Sequence, residues 1–444
     1  MESQYVWKPP SFDTCTPPSL VHEARLLPQQ NFARSAKWCP DGSLALAHCE
    51  NRSLQYLDMC VEQTHLESAA RRFFRSGLCS FLSLCPALDP FDPPKTKVFP
   101  RPAPILDFAW YPRATPRDPS SFCFVASVRE SPVQLLDASD GRLRASYKIV
   151  DHRERQIGPH SVSFNYSADK LYCGFEDAVE VFDINNPGQG TRLATTPSKK
   201  SRDGLKGIIS ALAFCPSYDP SYRLYAAGSL SPSSATSVNI ALFDEDTGEK
   251  PVGWIGDIKA SVMQLAFNPV KSHVLYASFR RRDEIYGWDL RGSTVTPLQI
   301  FRRGDGSMLE TNQKIKFDLD IGGDWMGVGD QNGNVNMFNL ATCSAGPTNE
   351  VGEALSCGTG PVLKYRAHDD AVGSVAFHPV RPLLLSVSGS RHFDDIESEG
   401  EESAEETSRG DGGTRVVRLG HCHRPRPKIR DNSLRLWHAA APST

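Results

Sequence analysis

The chain has 444 residues, 39% of them hydrophobic and 23% charged, with a formal net charge of -3. That is enough apolar material for a substantial core, and too small a charge excess for an intrinsically disordered or uniformly basic chain. No stretch approaches the roughly 18 apolar residues of a membrane helix, and the start Met1-Glu2-Ser3-Gln4-Tyr5 lacks the basic and apolar regions of a secretory signal.

Thirty-three Gly and 33 Pro suit short strands and frequent turns. Twelve Cys are scattered with no Cys-x-x-Cys pair, and Cys123, Cys173 and Cys215 fall inside apolar strand patterns. This predicts buried free thiols in a reducing compartment over a disulfide framework.

In chain order, residues 1–20 are Pro-rich and polar and read as a loose, flexible arm. Val21–Leu27 reads as a strand just ahead of an internal repeat. The repeat recurs seven times, at Lys37-Trp38-Cys39-Pro40, Ala109-Trp110-Tyr111-Pro112, Ser163-Phe164-Asn165-Tyr166, Ala213-Phe214-Cys215-Pro216, Ala266-Phe267-Asn268-Pro269, Lys316-Phe317-Asp318-Leu319 and Ala376-Phe377-His378-Pro379. A small-and-apolar run follows each copy, such as Leu224–Ser229 or Val274–Ser278. An alternating strand comes next, ending at Leu57-Asp58, Leu136-Asp137, Phe182-Asp183, Phe243-Asp244, Trp288-Asp289, Phe338-Asn339 and Leu436-Trp437. Asp41-Gly42, Asp140-Gly141, Thr247-Gly248 and Asn332-Gly333 read as hairpin turns.

Two long stretches interrupt the pattern. Residues 60–104 read as a connection with a short helix over Glu62–Arg75 and a Pro-rich exit. Residues 394–430 carry an acidic run, Asp394 to Glu406, and then a basic one, Arg415 to Arg430; buying no burial, they read as a disordered insert in the last repeat.

A short strand of small residues buried on both faces fits between neighbouring sheets near a central axis, and the next strand out alternates because it is more exposed. One four-stranded sheet cannot bury both faces alone, so the repeats must stack into a closed ring. The expectation is an all-β, seven-bladed WD-repeat β-propeller over residues 21–440, closed by an N-terminal strand from Val21–Leu27 that completes the last blade and removes its open edge.

Loops joining the second strand to the third, and blade to blade, share one face of such a ring. That face collects Arg129, Lys199, Lys200, Arg202, Lys206, Arg280, Arg281, Arg282, Arg302, Arg303, Lys314 and Arg391. The opposite face collects Asp41, Asp140, Asp169, Asp246 and Asp324. A clustered Lys/Arg face attracts a polyanion, RNA being the natural candidate. The bland alternative is that these cations are merely solvated. Arg280-Arg281-Arg282 is the sharpest element, because three arginines in a tight loop can fork onto phosphates or stack on bases; its alternative is pairing with the adjacent Asp283 and Glu284.

His160 and His368 precede inner strands and are read as hydrogen-bonding within their blades. His421-Cys422-His423 lacks a second ligand pair for a metal, and the Asp330–Asn334 run, with Ala341 where a calcium loop needs Glu, is read as a hairpin turn. No phosphate loop, His-Glu-x-x-His or Gly-x-Ser-x-Gly is present, so no catalytic residue, metal or cofactor is expected.

The repeats also resemble the telomerase Cajal body protein 1 family and its fungal members. The resemblance rests on Leu143-Arg144-Ala145-Ser146-Tyr147 after Gly141, on Arg280 with Glu284 and Trp288-Asp289-Leu290-Arg291, and on Thr311-Asn312-Gln313-Lys314-Ile315 with Phe317-Asp318-Leu319-Asp320, and spans about residues 31 to 438. It implies a nuclear, non-enzymatic RNA-binding scaffold that takes H/ACA-type small Cajal body RNA or telomerase RNA and directs its localisation to Cajal bodies or nucleoplasm. It further implies ribonucleoprotein partners, cytoplasmic synthesis with folding by the chaperonin, no membrane association, and a monomer. The chain departs from vertebrate members at Glu176-Asp177 and Glu180, where they carry a basic loop. The alternative function is a protein-interaction scaffold associated with pre-mRNA splicing, without direct RNA contact.

Overall fold

The small-and-apolar runs are the second strands of seven blades, and their burial explains their composition. In the computed structural model, which describes residues 8–26, 28, 31–58, 96–198, 201, 203–217, 219, 223–231, 239–248, 250–256, 258–304, 311–341, 357–393 and 428–440, every described regular element is a strand. The first strand, β1 (Ser19–Arg25), belongs to the last blade. Blade 1 holds β2 (Ala33–Trp38), β3 (Leu44–Cys49), β4 (Ser53–Asp58) and β5 (Lys97–Pro100). Blade 2 holds β6 (Ile105–Trp110), β7 (Cys123–Val128), β8 (Val133–Asp137) and β9 (Leu143–Tyr147). Blade 3 holds β10 (Ser161–Phe164), β11 (Lys170–Phe175), β12 (Ala178–Asp183) and β13 (Thr191–Ala194).

Blade 4 follows with β14 (Ile209–Phe214), β15 (Leu224–Ser229), β16 (Ile240–Asp244) and β17 (Pro251–Ile255). Blade 5 has β18 (Val262–Phe267), β19 (Val274–Phe279), β20 (Glu284–Asp289) and β21 (Gln299–Arg302). Blade 6 has β22 (Phe317–Leu319), β23 (Trp325–Gly329), β24 (Asn334–Asn339) and β26 (Leu363–Arg366); its β25 (Cys357–Thr359) instead pairs parallel to β21 as a fifth strand of blade 5. Blade 7 has β27 (Val372–Phe377), β28 (Leu383–Ser388) and β29 (Ser433–His438), with β1 antiparallel to β29 from Ser19 opposite His438 to Arg25 opposite Ser433. The ring is therefore closed by an N-terminal strand, as the sequence predicts.

Strands β3, β7, β19 and β28 are buried at every position, whereas the outer β13 is largely exposed. Small residues suit the inner position because both faces meet another blade. Cys123, Cys173 and Cys215 are buried and unbridged. Within the segment 1–20, Phe12 is buried, bridges Ala440 and meets the Phe377 ring at 5.0 Å. β5 falls inside the stretch 60–104; it is outermost and Pro-flanked, and Pro is tolerated on an edge strand. The helix expected over Glu62–Arg75 and the insert core 394–427 lie outside the described residues.

Two repeat boundaries move. In blade 6 the residue opposite the second position of the next strand is Leu319, facing Met326, just as Phe377 faces Leu384 in blade 7. The repeat there is thus Asp318-Leu319-Asp320, two residues beyond the expected Lys316-Phe317-Asp318. A slip of two residues leaves the alternation unchanged, so periodicity could not detect it. In blade 7 it is His438, opposite Leu383, that takes the position of the strand-ending Asp, one residue beyond Leu436-Trp437.

The four turn glycines Gly42, Gly141, Gly248 and Gly333 have φ of +77°, +79°, +55° and +88°. At Gly42 a side chain would also strike the His378 ring. His378 Nε2 donates to Gly42 O (3.0 Å), while Nδ1 accepts from Val380 and Arg381 N–H (3.1 Å each), so the neutral ring ties blade 7 to blade 1. Burial, with Arg381 beside it, pushes His378 down to about 4. Below pH 6.5 the unfolded chain protonates this residue and the folded chain does not, so its stabilisation is lost as pH falls toward 4. Urea unfolding of His378→Gln should show a flatter pH dependence than the parent between about pH 6.5 and 4, by on the order of 3 kcal/mol.

Candidate nucleic-acid interface

The blade 5 turn between β19 and β20 carries Arg280-Arg281-Arg282, with Arg281 in the left-handed region at φ +59°. Arg280 and Arg281 are exposed and Arg282 is half-buried. The neighbouring acids do not pair with them. Asp283 is buried and its carboxylate lies 3.3 Å from Arg303, while Glu284 lies 3.9 Å from Arg302. Arg303 is itself buried; it donates to the main-chain carbonyls of Asp283 (3.1 Å), Gly329 (3.0 Å) and Arg282 (2.8 Å), tying the loop to blade 6. Among the described residues no ion pair involves Arg280, Arg281 or Arg282, and Arg280 reaches only Asn312 Oδ1 at 3.2 Å.

Around this loop three clefts join. The channel mouth, of about 690 Å³, is bordered by Arg34, Lys314, Asn312, Arg391 and His392. It shares Asn312 with a cleft of about 460 Å³ over the arginine triplet and Lys259. That cleft shares Lys259 and Arg282 with a third, of about 390 Å³, which descends the flank of blade 5 past Tyr286 and Val295. The three clefts thus share lining residues from the channel mouth to the flank of blade 5; cations line them, with Glu50 and Asp370 also at the mouth, and Tyr286 beside the last is buried in the core.

The other expected site residues divide. Arg129, between β7 and β8, and Arg302, at the end of β21, are exposed on the same face. Lys206 lies there too, between β13 and β14, half-buried and hydrogen-bonded. Lys199, Lys200 and Arg202 lie outside the described residues. Lys314 points inward: Nζ donates to Ser210 O across the channel (3.1 Å), and burial, with Lys316 nearby, pushes its ammonium down to about 8. Arg303 belongs to the interior, not to the exposed face. Arg391 pairs with Glu50, which also holds Arg34.

Sequence reading missed Arg34, Glu50, the Asp370–His392 pair (3.0 Å), and the channel residues Lys37, Asp107, Lys316 and Asp318. The available signal was a charge inside an innermost strand. At the opposite face, the expected acids largely serve their own turns or neighbours: Asp41 caps Ser43 N–H (3.0 Å), Asp140 caps Arg142 N–H (2.9 Å), and Asp246 lies 3.6 Å from Arg223. In blade 3, Glu180 is held by Arg192 at 2.7 Å and Asp177 caps Gly207 N–H at 2.6 Å. Asp330 caps Asn332 and Asn334 N–H (2.9 Å each), confirming a turn, and His421-Cys422-His423 lies outside the described residues. Among the described residues no group of three His, Cys, Asp or Glu side chains could hold a metal, and no helix is long and apolar enough to cross a membrane.

His368 bonds its blade as expected: Nε2 meets Ser386 Oγ (2.7 Å), Nδ1 meets Ser433 Oγ (3.0 Å) and Asp431 (3.3 Å), and Trp437 donates to Ser386 Oγ (2.8 Å). His160 is instead held through its main chain, N–H to Gly174 O at 2.8 Å. Seven antiparallel blades, closed through β1, define a WD-repeat β-propeller.

No family model matches the chain. It is similar to telomerase Cajal body protein 1 of Mesocricetus auratus, 28% identical over 394 residues, which cover 89% of this chain and 64% of the relative. The human protein of the same name is 29% identical over 376 residues, or 85% and 60% of the two chains. A fission-yeast relative, guanine nucleotide-binding protein negative regulator 1, is 26% identical over 307 residues, or 65% and 66%. The resemblance to the telomerase Cajal body protein 1 family therefore holds across most of this chain, which spans 64% and 60% of the two relatives so named.

The two classes of arginine should separate in stability. Arg303→Ala leaves Asp283 buried without its partner and should cost about 3–5 kcal/mol in chemical denaturation. Arg281→Ala should change stability by no more than about 0.5 kcal/mol.

Proposed function

We propose that this chain is a non-enzymatic WD-repeat scaffold of nuclear ribonucleoproteins, related to Cajal bodies and telomerase, that holds single-stranded RNA on the face carrying Arg280–Arg282. The observation that carries this reading is an arginine triplet, exposed at Arg280 and Arg281, whose adjacent carboxylates are already matched by Arg302 and Arg303. Arginines left without local counter-charge attract phosphates and stack on bases, which suits a single strand. Arg129 and Lys206 add charge on the same face, Arg302 is matched to Glu284, and Lys199 and Lys200 are proposed as further contacts from the sequence alone; Lys314 and Arg303 would position loops without touching the ligand.

The names of the relatives speak of telomerase and of Cajal bodies, which supports a place in the nucleus; the ligand proposed is H/ACA-type small Cajal body RNA or telomerase RNA, with ribonucleoprotein proteins as further partners, in Cajal bodies or nucleoplasm. Folding by the chaperonin after cytoplasmic synthesis, a monomeric state, and a propeller domain over 21–440 with an N-terminal arm and a charged insert complete the proposal.

The test is RNA crosslinking and sequencing of the expressed full chain beside an Arg280→Ala, Arg281→Ala, Arg282→Ala variant. Enrichment of small H/ACA-type or telomerase RNA, lost in the variant, is the expected result. With purified components, the variant's log–log salt slope should be shallower by about 2, three phosphate contacts each contributing roughly 0.7 on single strands. Recovery of splicing proteins with no enriched RNA would overturn RNA binding in favour of a protein scaffold.

A further inference from the structure

We propose that two clefts of the arginine-bearing face divide a nucleotide between them, phosphate over Arg280–Arg282 and base in the channel mouth, and that Asn312, on their boundary, reads a keto oxygen of that base. The inference rests on the RNA reading above and adds to it the residue that discriminates one base from another.

The two clefts differ in their free charge. The one over the triplet is lined by Lys259, Arg280, Arg281 and Arg282 and by no carboxylate, and among the described residues none of these four cations takes part in an ion pair. In the channel mouth every charged group has a partner. Arg34 and Arg391 both pair with Glu50, and His392 Nε2 lies 3.0 Å from Asp370, which also accepts from Ser390 Oγ at 2.6 Å. Lys314 Nζ donates to Ser210 O at 3.1 Å. Phosphate is therefore drawn to the first cleft, and the polar surface of the second suits an uncharged base. Contacts to phosphate position a strand, and contacts to base edges specify it.

Among the described residues, Asn312 alone lines both clefts. Its neighbours in the Thr311–Ile315 run serve the fold. Thr311 Oγ accepts the Gln313 N–H at 3.0 Å, Gln313 Nε2 donates to Gly389 O at 2.9 Å, and Ile315 is buried. With Lys314 tied to Ser210, the segment is thus held to blades 4 and 7 on either side of the channel. Asn312 is the exposed member of the run, and its side chain makes one contact: Oδ1 accepts from Arg280 Nη2 at 3.2 Å. That contact turns the amide oxygen toward the triplet and leaves both Nδ2 hydrogens without a partner. An amide NH2 is a donor only, so it calls for an acceptor. Uracil and guanine present a keto oxygen where cytosine and adenine present an amino group, itself a donor. Asn312 therefore favours the keto bases, while Arg280, bonded to it, holds the phosphate side.

The experiment is fluorescence anisotropy of the full chain with short labelled oligouridylate and oligocytidylate, two pyrimidine strands that differ at this keto or amino position. The parent should bind oligouridylate about fivefold more tightly, and Asn312→Ala should bring the two within about twofold by weakening oligouridylate. The salt dependence of Asn312→Ala should stay that of the parent, because no phosphate contact is lost. The Arg280→Ala, Arg281→Ala, Arg282→Ala variant should instead weaken both strands alike and flatten the salt slope. Binding without preference for oligouridylate, or a preference that survives Asn312→Ala, overturns base reading by Asn312 and leaves the RNA reading standing. A salt slope flattened in Asn312→Ala would make the residue a phosphate contact and also overturn it. No binding of either strand overturns the RNA reading and this inference with it.

Discussion

The innermost strand of every blade has one edge with no strand beside it, because the channel lies there. Its peptide groups need partners, and an unpaired buried N–H or C=O costs about as much as a lost hydrogen bond. The ring solves this seven times in one direction: a side chain from each inner strand bonds the inner strand of the next blade. Lys37 donates to Phe108 O (2.6 Å), Asp107 accepts Val162 N–H (3.1 Å), Ser161 donates to Ile209 O (2.9 Å), and Ser210 donates to Val262 O (2.6 Å). Gln264 takes both groups of Phe317 (3.0 and 2.7 Å), Asp318 accepts Phe377 N–H (2.8 Å), and Ser374 accepts Ala36 N–H (3.0 Å). The last contact returns to blade 1. No blade can satisfy its own inner edge, so the blades are interdependent in polar bonding as well as in apolar packing.

The same device reaches the arginine-bearing face. Arg303 leaves the end of blade 5, bonds the carbonyls of its own loop and then Gly329 of blade 6. By matching Asp283, it removes the acid that would otherwise hold the arginines beside it. The exposure of Arg280 and Arg281 is thus a consequence of interior wiring. Where a blade lacks its polar partner, the cost is visible. Trp437 of blade 7 donates to Ser386, but in blade 5 the corresponding positions are Trp288 and Ala277, and the indole N–H of Trp288 has no partner.

The channel also shows how one residue serves fold and electrostatics together. Lys37 caps blade 2 and Asp318 caps blade 7, and both line one cavity of the channel. Polar groups placed to bond the inner strands leave charge of both signs along the axis.

The blade number, the WD-repeat class and the N-terminal closure were legible in the sequence. All of these follow from local signals: small residues in doubly buried strands, glycines at turns such as Asp41-Gly42, and a last blade one strand short. It could not place blade 6 correctly, because a two-residue slip preserves the inward and outward alternation that a strand pattern records. Nor could it separate Arg303 from Arg281, two arginines flanking the same strands, one buried against Asp283 and the other exposed. That division depends on which side chain reaches the neighbouring blade, a contact between positions twenty or more residues apart. For the same reason the cluster of Lys37, Asp107, Lys316 and Asp318 was invisible: its members lie on blades 1, 2 and 6, and only closure of the ring brings them to one axis.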